Sequence, residues 1–218
     1  MISELSIICL YFLYFMALHA DNPKNNTIIL ASSSERRISI LNKLGLNFIS
    51  VKHKIDTEPA YSKNSGISIE NFIMMLATDK ARSIENRYPN SFIIGADTLI
   101  YLDGKVYGKP LDFFEAKRII KHLSGKTHEV YTGISLINRK KNIYEADIDK
   151  SLVKIKYLTD AEIIEYINKY PPYDKAGSYG VQDENGIVEN FTGSFNNILG
   201  LCTDKLIPLL NKYELLKI

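Results

Sequence analysis

Cysteine and tryptophan are scarce in this sequence, which has two cysteines and no tryptophan among its 218 residues. Cys9 and Cys202 are far apart and fit neither a disulfide framework nor a metal-ligand spacing. The Walker A, HExxH and CxxC patterns are also missing, which disfavours a kinase or a P-loop NTPase. A reducing compartment is the default for such a chain, so we expect a cytoplasmic protein.

Excess charge of either sign is missing as well. The chain has 27 Lys and Arg residues against 25 Asp and Glu residues, a formal net charge of +2. A nucleic-acid-binding domain usually has a strongly basic face, and this balance gives no support for one. We therefore expect no nucleic-acid partner. The length fits one domain, or two small lobes, with a sizeable core.

The N-terminal segment 5–20 is almost wholly apolar. It is shorter than the roughly 20 residues that span a bilayer, and it resembles the apolar region of a signal peptide. The residues before it include Glu4 and no Lys or Arg, which is atypical of a signal peptide. Two alternatives stay open: a cleaved signal or weak membrane anchor over residues 1–20, which would make the protein secretory or organelle-targeted, or an extension that packs as a helix or stays loose. We predict an extension and linker over residues 1–26 and a folded domain over 27–218.

Residues 27–37 contain the most informative local pattern. A short apolar run, 27–31, predicts a buried strand, and three serines follow it. Ser32 and Glu35 have the spacing of a capping box, so we expect a helix that ends near Gly45. Arg36 and Arg37 lie in its first turn, where cations are unfavourable unless an anion joins them. The pattern favours a polyphosphate site, with a capped helix and two solvated arginines as the alternative.

The remaining periodicities predict alternating helices and strands early in the chain and paired strands later. This order favours an α/β fold with a mixed sheet. The predicted strands are 47–53, 92–95, 99–102, 105–107, 127–138, 144–157 and 187–191, with an Asp-Gly hairpin turn at 103–104. The predicted helices are 68–87, 112–125, 159–169 and 203–216, and the first three have Ser68, Asp112 and Thr159 as predicted capping residues.

Three charged residues stand out by their positions. Asp97 directly follows the predicted strand 92–95, where a carboxylate can ligate Mg²⁺ or activate water, or can form an Asx turn. Lys109 lies between Gly108 and Pro110, a placement that can direct it towards a phosphate. Lys80 lies in the middle of a predicted helix, where a lysine is usually solvated.

Five ordered segments together resemble the Maf family of nucleoside triphosphate pyrophosphatases. They are LASSSERR at 30–37, GADT at 95–98 with GKP at 108–110, LSGKTHEV at 123–130 with TG at 132–133, DKAGSYGVQ at 174–182, and GS at 193–194 with Asn197 and GL at 200–201. The match extends from about Thr27 to the C-terminus. Five segments in order and at compatible spacing make the resemblance highly specific.

The resemblance implies a strongly twisted mixed sheet with flanking helices, two lobes around a cleft, and a homodimer. It implies hydrolysis of a nucleoside triphosphate between the α and β phosphates, with a divalent cation (Mg²⁺, Mn²⁺ or Co²⁺) as cofactor. The alternative is a nucleotide-binding regulatory module linked to cell division, without significant catalysis.

The resemblance also implies roles for particular residues. Ser32, Arg36 and Arg37 would hold phosphates, Lys80 and Lys109 would add positive charge, and Asp97 would be the proton acceptor or a metal-linked carboxylate. Arg36, Thr98 and Gln182 occupy the positions that distinguish the subgroup acting on dTTP, UTP and modified pyrimidine nucleotides from the subgroup acting on 7-methyl-GTP.

Two departures from the family pattern affect these expectations. Glu35 replaces the usual proline before the two arginines, and glutamate is favourable in the first turn of a helix. The acidic pair of the family falls near Asp56 and Glu58, where Thr57 interrupts it. Glu58 is the expected second metal ligand beside Asp97, and Asp56 is the alternative.

Overall fold

The computed structural model describes residues 27–57, 59–62 and 66–216. The expectations for residues 1–26 and for Glu58 lie outside this range. The strands are β1 (Ile28–Leu30), β2 (Phe48–Ser50), β3 (Phe92–Leu102), β4 (Lys105–Tyr107), β5 (Thr127–Asn138), β6 (Ile143–Ile155) and β7 (Val188–Thr192). The α-helices are α1 (Glu35–Lys43), α2 (Ile69–Glu85), α3 (Phe113–Leu123), α4 (Asp160–Lys169), α5 (Phe195–Leu199) and α6 (Thr203–Lys212). A 3₁₀ turn lies at Ala176–Ser178.

Seven strands form one mixed sheet, which confirms the predicted α/β class. The strand order is β2-β1-β3-β5-β6-β7, and β4 pairs with β3 outside this path. Strand β1 is parallel to both β2 and β3, whereas the other pairs are antiparallel. Among the described helices, none is both long and apolar enough to cross a membrane.

The two faces of the sheet are covered differently. Helix α2 packs along one face of β3 and β5, and its buried side chains include Phe72, Ile73 and Ile84. The opposite face has two separate apolar cores. Helices α1 and α6 pack over one of them, and α3 and α4 pack over the other. These two cores form the two lobes, and the long strands β3, β5 and β6 join them.

Strand β3 is longer than predicted. The two expected strands, 92–95 and 99–102, are one continuous strand, so Asp97 lies within a strand and does not follow one. Along one edge, β3 pairs with β1 up to Ile94 and with β4 from Ile100. No described strand pairs with that edge between these two residues. The sheet is therefore open beside Asp97, although the strand itself continues.

The helix N-termini mostly follow the predicted capping residues. The Ser68 hydroxyl accepts from the Asn71 N–H, the Asp112 carboxylate accepts from the Glu115 N–H, and Thr159 and Glu162 form a complete capping box.

The predicted capping box of Ser32 with Glu35 is wrong. The N-cap residue of α1 is Ser34, and the Ser32 hydroxyl accepts hydrogen bonds from the Ser34 N–H and from Arg37. The helix therefore begins two residues later than the spacing of Ser32 and Glu35 suggested. Ser32 thereby becomes a buried residue of the cleft.

Two glycines allow α2 to lie close against the sheet. A Cβ atom at Gly95 would lie 2.0 Å from the Ala77 carbonyl oxygen, and one at Gly133 would lie 2.7 Å from the Ile73 carbonyl oxygen. Both obstacles are helix backbone, which cannot move without displacing α2. Side chains are therefore excluded at these two positions of β3 and β5.

We predict that Gly95→Ala and Gly133→Ala each lower the free energy of unfolding by about 2 kcal/mol or more, because overpacking a rigid contact typically costs 1–3 kcal/mol. Urea unfolding measures the difference. Gly108→Ala is the matched control, since a Cβ atom there meets nothing within 4 Å. Equal stability of Gly95→Ala and Gly108→Ala would show that α2 does not need this close approach.

Candidate functional site

A cleft of about 870 Å³ opens between the two lobes, beside the open edge of β3. Its lining comes from the β1–α1 loop, from β3, and from the segments around Gly108 and Gly180. Eight of the nine residues predicted for the site line this cleft: Ser32, Arg36, Arg37, Lys80, Asp97, Thr98, Lys109 and Gln182. The ninth, Glu58, lies outside the described residues.

The Lys80 ammonium donates to the Asp97 carboxylate in a buried ion pair. The two residues are only 4% and 7% exposed. Lys80 is therefore not the solvated residue that its position in a helix suggested. Because successive side chains of a strand point to opposite faces, Asp97 faces α2 whereas Thr98 faces the other side. The open edge of β3 gives both residues access to the same cleft.

Arg37 connects three parts of the cleft wall. Its Nε donates to the Gly200 carbonyl oxygen at 2.7 Å, its Nη1 to the Ser32 hydroxyl at 3.3 Å and its Nη2 to Thr98 Oγ1 at 3.2 Å. Thr98 Oγ1 is also 3.0 Å from Thr132 Oγ1 on the adjacent strand. This network fixes the guanidinium in the cleft before any ligand binds. A preorganised cation of this kind suits phosphate binding.

Arg36 forms an ion pair across the mouth of the cleft. Its guanidinium donates to the Asp174 carboxylate and, at 3.1 Å, to the Asp174 carbonyl oxygen. Lys175 Nζ donates to the same carboxylate at 2.9 Å. Partial burial raises the pKa of Asp174, but hydrogen bonds from Lys175 and Arg36 outweigh this and hold that pKa below its usual value.

Asp174 and Lys175 were not among the residues predicted for the site. Both residues belong to the DKAGSYGVQ segment, which is part of the family resemblance. That segment is the sequence signal that could have identified them, although the resemblance gave these two side chains no role. A long-range ion pair such as Arg36 with Asp174 joins residues that are 138 positions apart. No local pattern reveals a contact at that separation.

Lys109 and Gln182 are exposed at the cleft, and they belong to two segments that are tied together. The Gly177 N–H donates to the Gly108 carbonyl oxygen at 3.0 Å.

The Tyr179 hydroxyl lies 2.7 Å from His128 Nε2 inside the protein. Burial lowers the pKa of His128 to about 4, so this histidine is neutral at neutral pH.

The acidic loop contributes one described carboxylate to the cleft. Asp56 is exposed and lines it, together with His53 and Thr57. Within the described ranges, no group of three or more His, Cys, Asp or Glu residues is arranged to hold a metal ion. The described carboxylates that line the cleft are those of Glu35, Asp56, Asp97 and Asp174, and Asp174 is paired with Arg36 and Lys175.

Comparisons with known proteins agree along most of the chain. A family model described as "Maf-like protein" matches residues 27–213. A protein of Caldicellulosiruptor bescii named dTTP/UTP pyrophosphatase is 38% identical over 197 residues, which cover 87% of this chain and 97% of that protein. Proteins with the same name from Dictyoglomus turgidum and Clostridioides difficile are 36% and 38% identical over 187 residues, covering 85% of this chain and 95% and 94% of theirs.

A search of solved structures found the Staphylococcus aureus Ham1 protein. It is 13% identical to this chain, with a TM-score of 0.47, and the match covers 86% of this chain and 100% of that one.

We predict that Asp97→Asn lowers the free energy of unfolding by about 3 kcal/mol, because it removes the negative charge that the buried Lys80 ammonium contacts in this ion pair. The double variant Lys80→Met with Asp97→Asn should recover most of this loss, since no buried charge remains. Urea unfolding of the wild type, both single variants and the double variant measures the coupling.

The exposed pair of Lys154 with Glu189 provides the control for this cycle. Lys154→Met should change stability by less than about 1 kcal/mol, as is usual for surface ion pairs. Simple additivity of the Lys80 and Asp97 substitutions would mean that the ion pair does not hold α2 to the sheet.

Proposed function

The chain belongs to the Maf family, and on that premise we propose that it is a nucleoside triphosphate pyrophosphatase acting on dTTP and UTP. The main support for this proposal is that four cations and one buried carboxylate line the same cleft. Arg36, Arg37, Lys80 and Lys109 all line it together with Asp97. Four cations around one cleft suit a triphosphate, because together they offset its negative charge.

We propose that Asp97 accepts the proton of the attacking water. The water oxygen forms a bond to the α phosphorus. The bond between the α phosphorus and the oxygen that bridges to the β phosphate breaks, and this oxygen leaves with pyrophosphate. The products are a nucleoside monophosphate and pyrophosphate. Lys80 holds the Asp97 carboxylate in place through their ion pair. Arg37, already fixed by Ser32, Thr98 and Gly200, would stabilise negative charge on the phosphates.

A divalent cation, Mg²⁺, Mn²⁺ or Co²⁺, is part of the proposal. Proteins commonly hold Mg²⁺ through one or two carboxylates and the oxygens of a bound polyphosphate. Asp97 and Asp56 fit this pattern, and Glu58 is the alternative to Asp56 as the acidic-loop ligand. When bound, the cation would neutralise charge on the phosphates.

Base selectivity is assigned to Gln182. Its side-chain amide has two donor hydrogens and a carbonyl acceptor, so it can pair with the edge of uracil or thymine. Cytosine has an amino group where uracil has a carbonyl, and polar sites reject a partner that leaves a group unpaired. Thr98 is small and neutral, which leaves no acid at that position to attract a cationic methylated purine.

The domain limits and the assembly are also proposals. We propose that residues 27–218 form the catalytic domain, that the protein is a cytoplasmic homodimer, and that membrane contact would involve only the N-terminal extension. Light scattering of the full chain would test the homodimer, since a monomer mass at micromolar concentration would contradict it.

We predict that the purified protein releases pyrophosphate from dTTP and UTP faster than from CTP, GTP or 7-methyl-GTP. Asp97→Asn should lower turnover ~10²-fold or more, because a positioned general base typically contributes that much. The assay measures pyrophosphate with Mg²⁺, Mn²⁺ and Co²⁺, at a temperature where the variant is folded.

The same assay separates the alternatives. Nucleotide binding without pyrophosphate release would favour the regulatory module, and fastest turnover of 7-methyl-GTP would contradict the subgroup assignment. Turnover by a folded Asp97→Asn variant at the wild-type rate would remove Asp97 from the mechanism.

We predict that Gln182→Glu lowers kcat/KM for dTTP and UTP by about tenfold, which corresponds to one hydrogen bond replaced by repulsion between the carboxylate and the base carbonyls. The control is Asn190→Asp, which adds the same charge at an exposed position of β7. If both variants lose activity equally, the effect comes from net charge and not from base recognition.

A further inference from the structure

Gln182 lies in a β-turn whose two ends are hydrogen-bonded to each other. The Asp183 N–H donates to the Gly180 carbonyl oxygen at 3.3 Å, which is the hydrogen bond of a β-turn with Val181 and Gln182 at its centre. The Asp183 carboxylate also accepts from the Gly180 N–H at 3.1 Å. The two ends of the turn are therefore joined by two hydrogen bonds, one through the backbone and one through a side chain.

Helix α4 holds this turn through Tyr166. The Tyr166 hydroxyl donates to the Asp183 carboxylate and accepts from the Gly180 N–H at 3.0 Å. Tyr166 is only 5% exposed, and burial, reinforced by the hydrogen bond to Asp183, raises its pKa. Its phenol therefore keeps the proton that it donates. A buried hydrogen bond to a carboxylate is among the stronger kinds in proteins.

The fit around Gly180 leaves no space for a side chain. A Cβ atom at this position would lie 2.5 Å from Asp183 Oδ1. That carboxylate cannot turn away without losing Tyr166 and the Gly180 N–H together. Gly180, Asp183 and Tyr166 thus form one interlocked unit, which we call the turn clamp.

Gln182 depends on the turn clamp for its position. Its own side chain is exposed at the cleft, so packing does not hold it. The part of Gln182 that the protein fixes is its backbone, through the turn. A glutamine on a mobile turn can shift slightly and so pair with either pyrimidine. A glutamine on a rigid turn forms good hydrogen bonds with only one pattern of donors and acceptors on the base.

We propose that Asp183 and Tyr166 are positioning residues that set pyrimidine selectivity, by holding the turn from which Gln182 meets the base. This proposal rests on the proposed function, in which Gln182 recognises uracil and thymine. The phosphate-binding groups lie outside the turn clamp: Arg37 is held by Ser32, Thr98 and Gly200, and Lys80 by Asp97. Loosening the clamp therefore acts on the choice of base more than on the hydrolysis step.

The test compares kcat/KM for UTP and CTP, which carry the same sugar and triphosphate and differ only in the base. Tyr166→Phe and Asp183→Ala should each lower the UTP-to-CTP ratio of kcat/KM by about tenfold, which is the effect expected from losing one well-placed hydrogen bond. Asp183→Asn should restore most of the ratio relative to Asp183→Ala, because its amide oxygen can still accept from Gly180 and Tyr166. The kcat for UTP should change much less than the ratio.

The matched control is Tyr213→Phe. This variant also removes a tyrosine hydroxyl that donates to a carboxylate, that of Glu145 at 2.6 Å, and neither residue lines the cleft. Its UTP-to-CTP ratio should equal that of the wild type. Thermal unfolding of each variant confirms that the assayed protein is folded, and Tyr166→Phe decides the question if Asp183→Ala does not fold.

Two different failures are distinguishable. If the wild type prefers UTP and both clamp variants lower activity on UTP and CTP equally, the turn clamp is only structural and the inference is wrong. If the wild type itself does not distinguish UTP from CTP, the proposed base recognition by Gln182 fails, and the inference falls with it.

Discussion

The buried ion pair of Lys80 with Asp97 is the interaction on which the site depends. Removing two charges from water is costly, and the cost is offset only when the charges meet at close range. That contact requires α2 to lie against β3 and β5 with little space between them. Gly95 and Gly133 provide the close approach, because a side chain at either position would meet the backbone of the helix. Two residues without side chains thereby determine where the Asp97 carboxylate is held.

The position of the cleft follows from which strands run through both lobes. Strands β3, β5 and β6 run through both lobes, whereas β1 and β4 each cover only one part of the edge of β3. Each lobe has its own apolar core, and the cleft between the cores is lined by charged and polar side chains together with apolar ones. Arg37 and Thr98 face that space from one side of the sheet, and Asp97 reaches it from the other side through the open edge.

Much of the fold was predictable because its signals are local. The predicted strand 127–138 matches β5 at its full length, and three of the four predicted capping residues are correct. The errors have physical causes. Asp97 looked like the end of a strand because a charged residue follows an apolar run, but its partner Lys80 lies on a helix 17 positions earlier. The short helix α5 was not predicted, because five residues carry too little periodicity.

The site itself was predictable only as a set of residues brought together by family resemblance. Local patterns suggested an anion site near Arg36 and Arg37, but no spacing indicated that Gln182 or Asp174 lies across from them. The contacts of Tyr166 with Gly180 and Asp183 were equally hidden, because they join a helix to a loop with no motif in common. Such contacts depend on tertiary packing, which periodicity does not encode.

The open edge of β3 has a consequence for how the protein behaves among other molecules. Unpaired strand edges attract other strands and promote aggregation, and proteins normally shield them with charges, bulges or loops. Here the stretch from Gly95 to Leu99, with which no described strand pairs on this edge, lies between β1 and β4 and faces a cleft whose lining includes lysine and arginine. Because β1 and β4 flank this five-residue stretch, a longer strand cannot pair along the edge without displacing one of them. The backbone groups of this stretch can therefore face a small ligand without presenting a long edge to another strand.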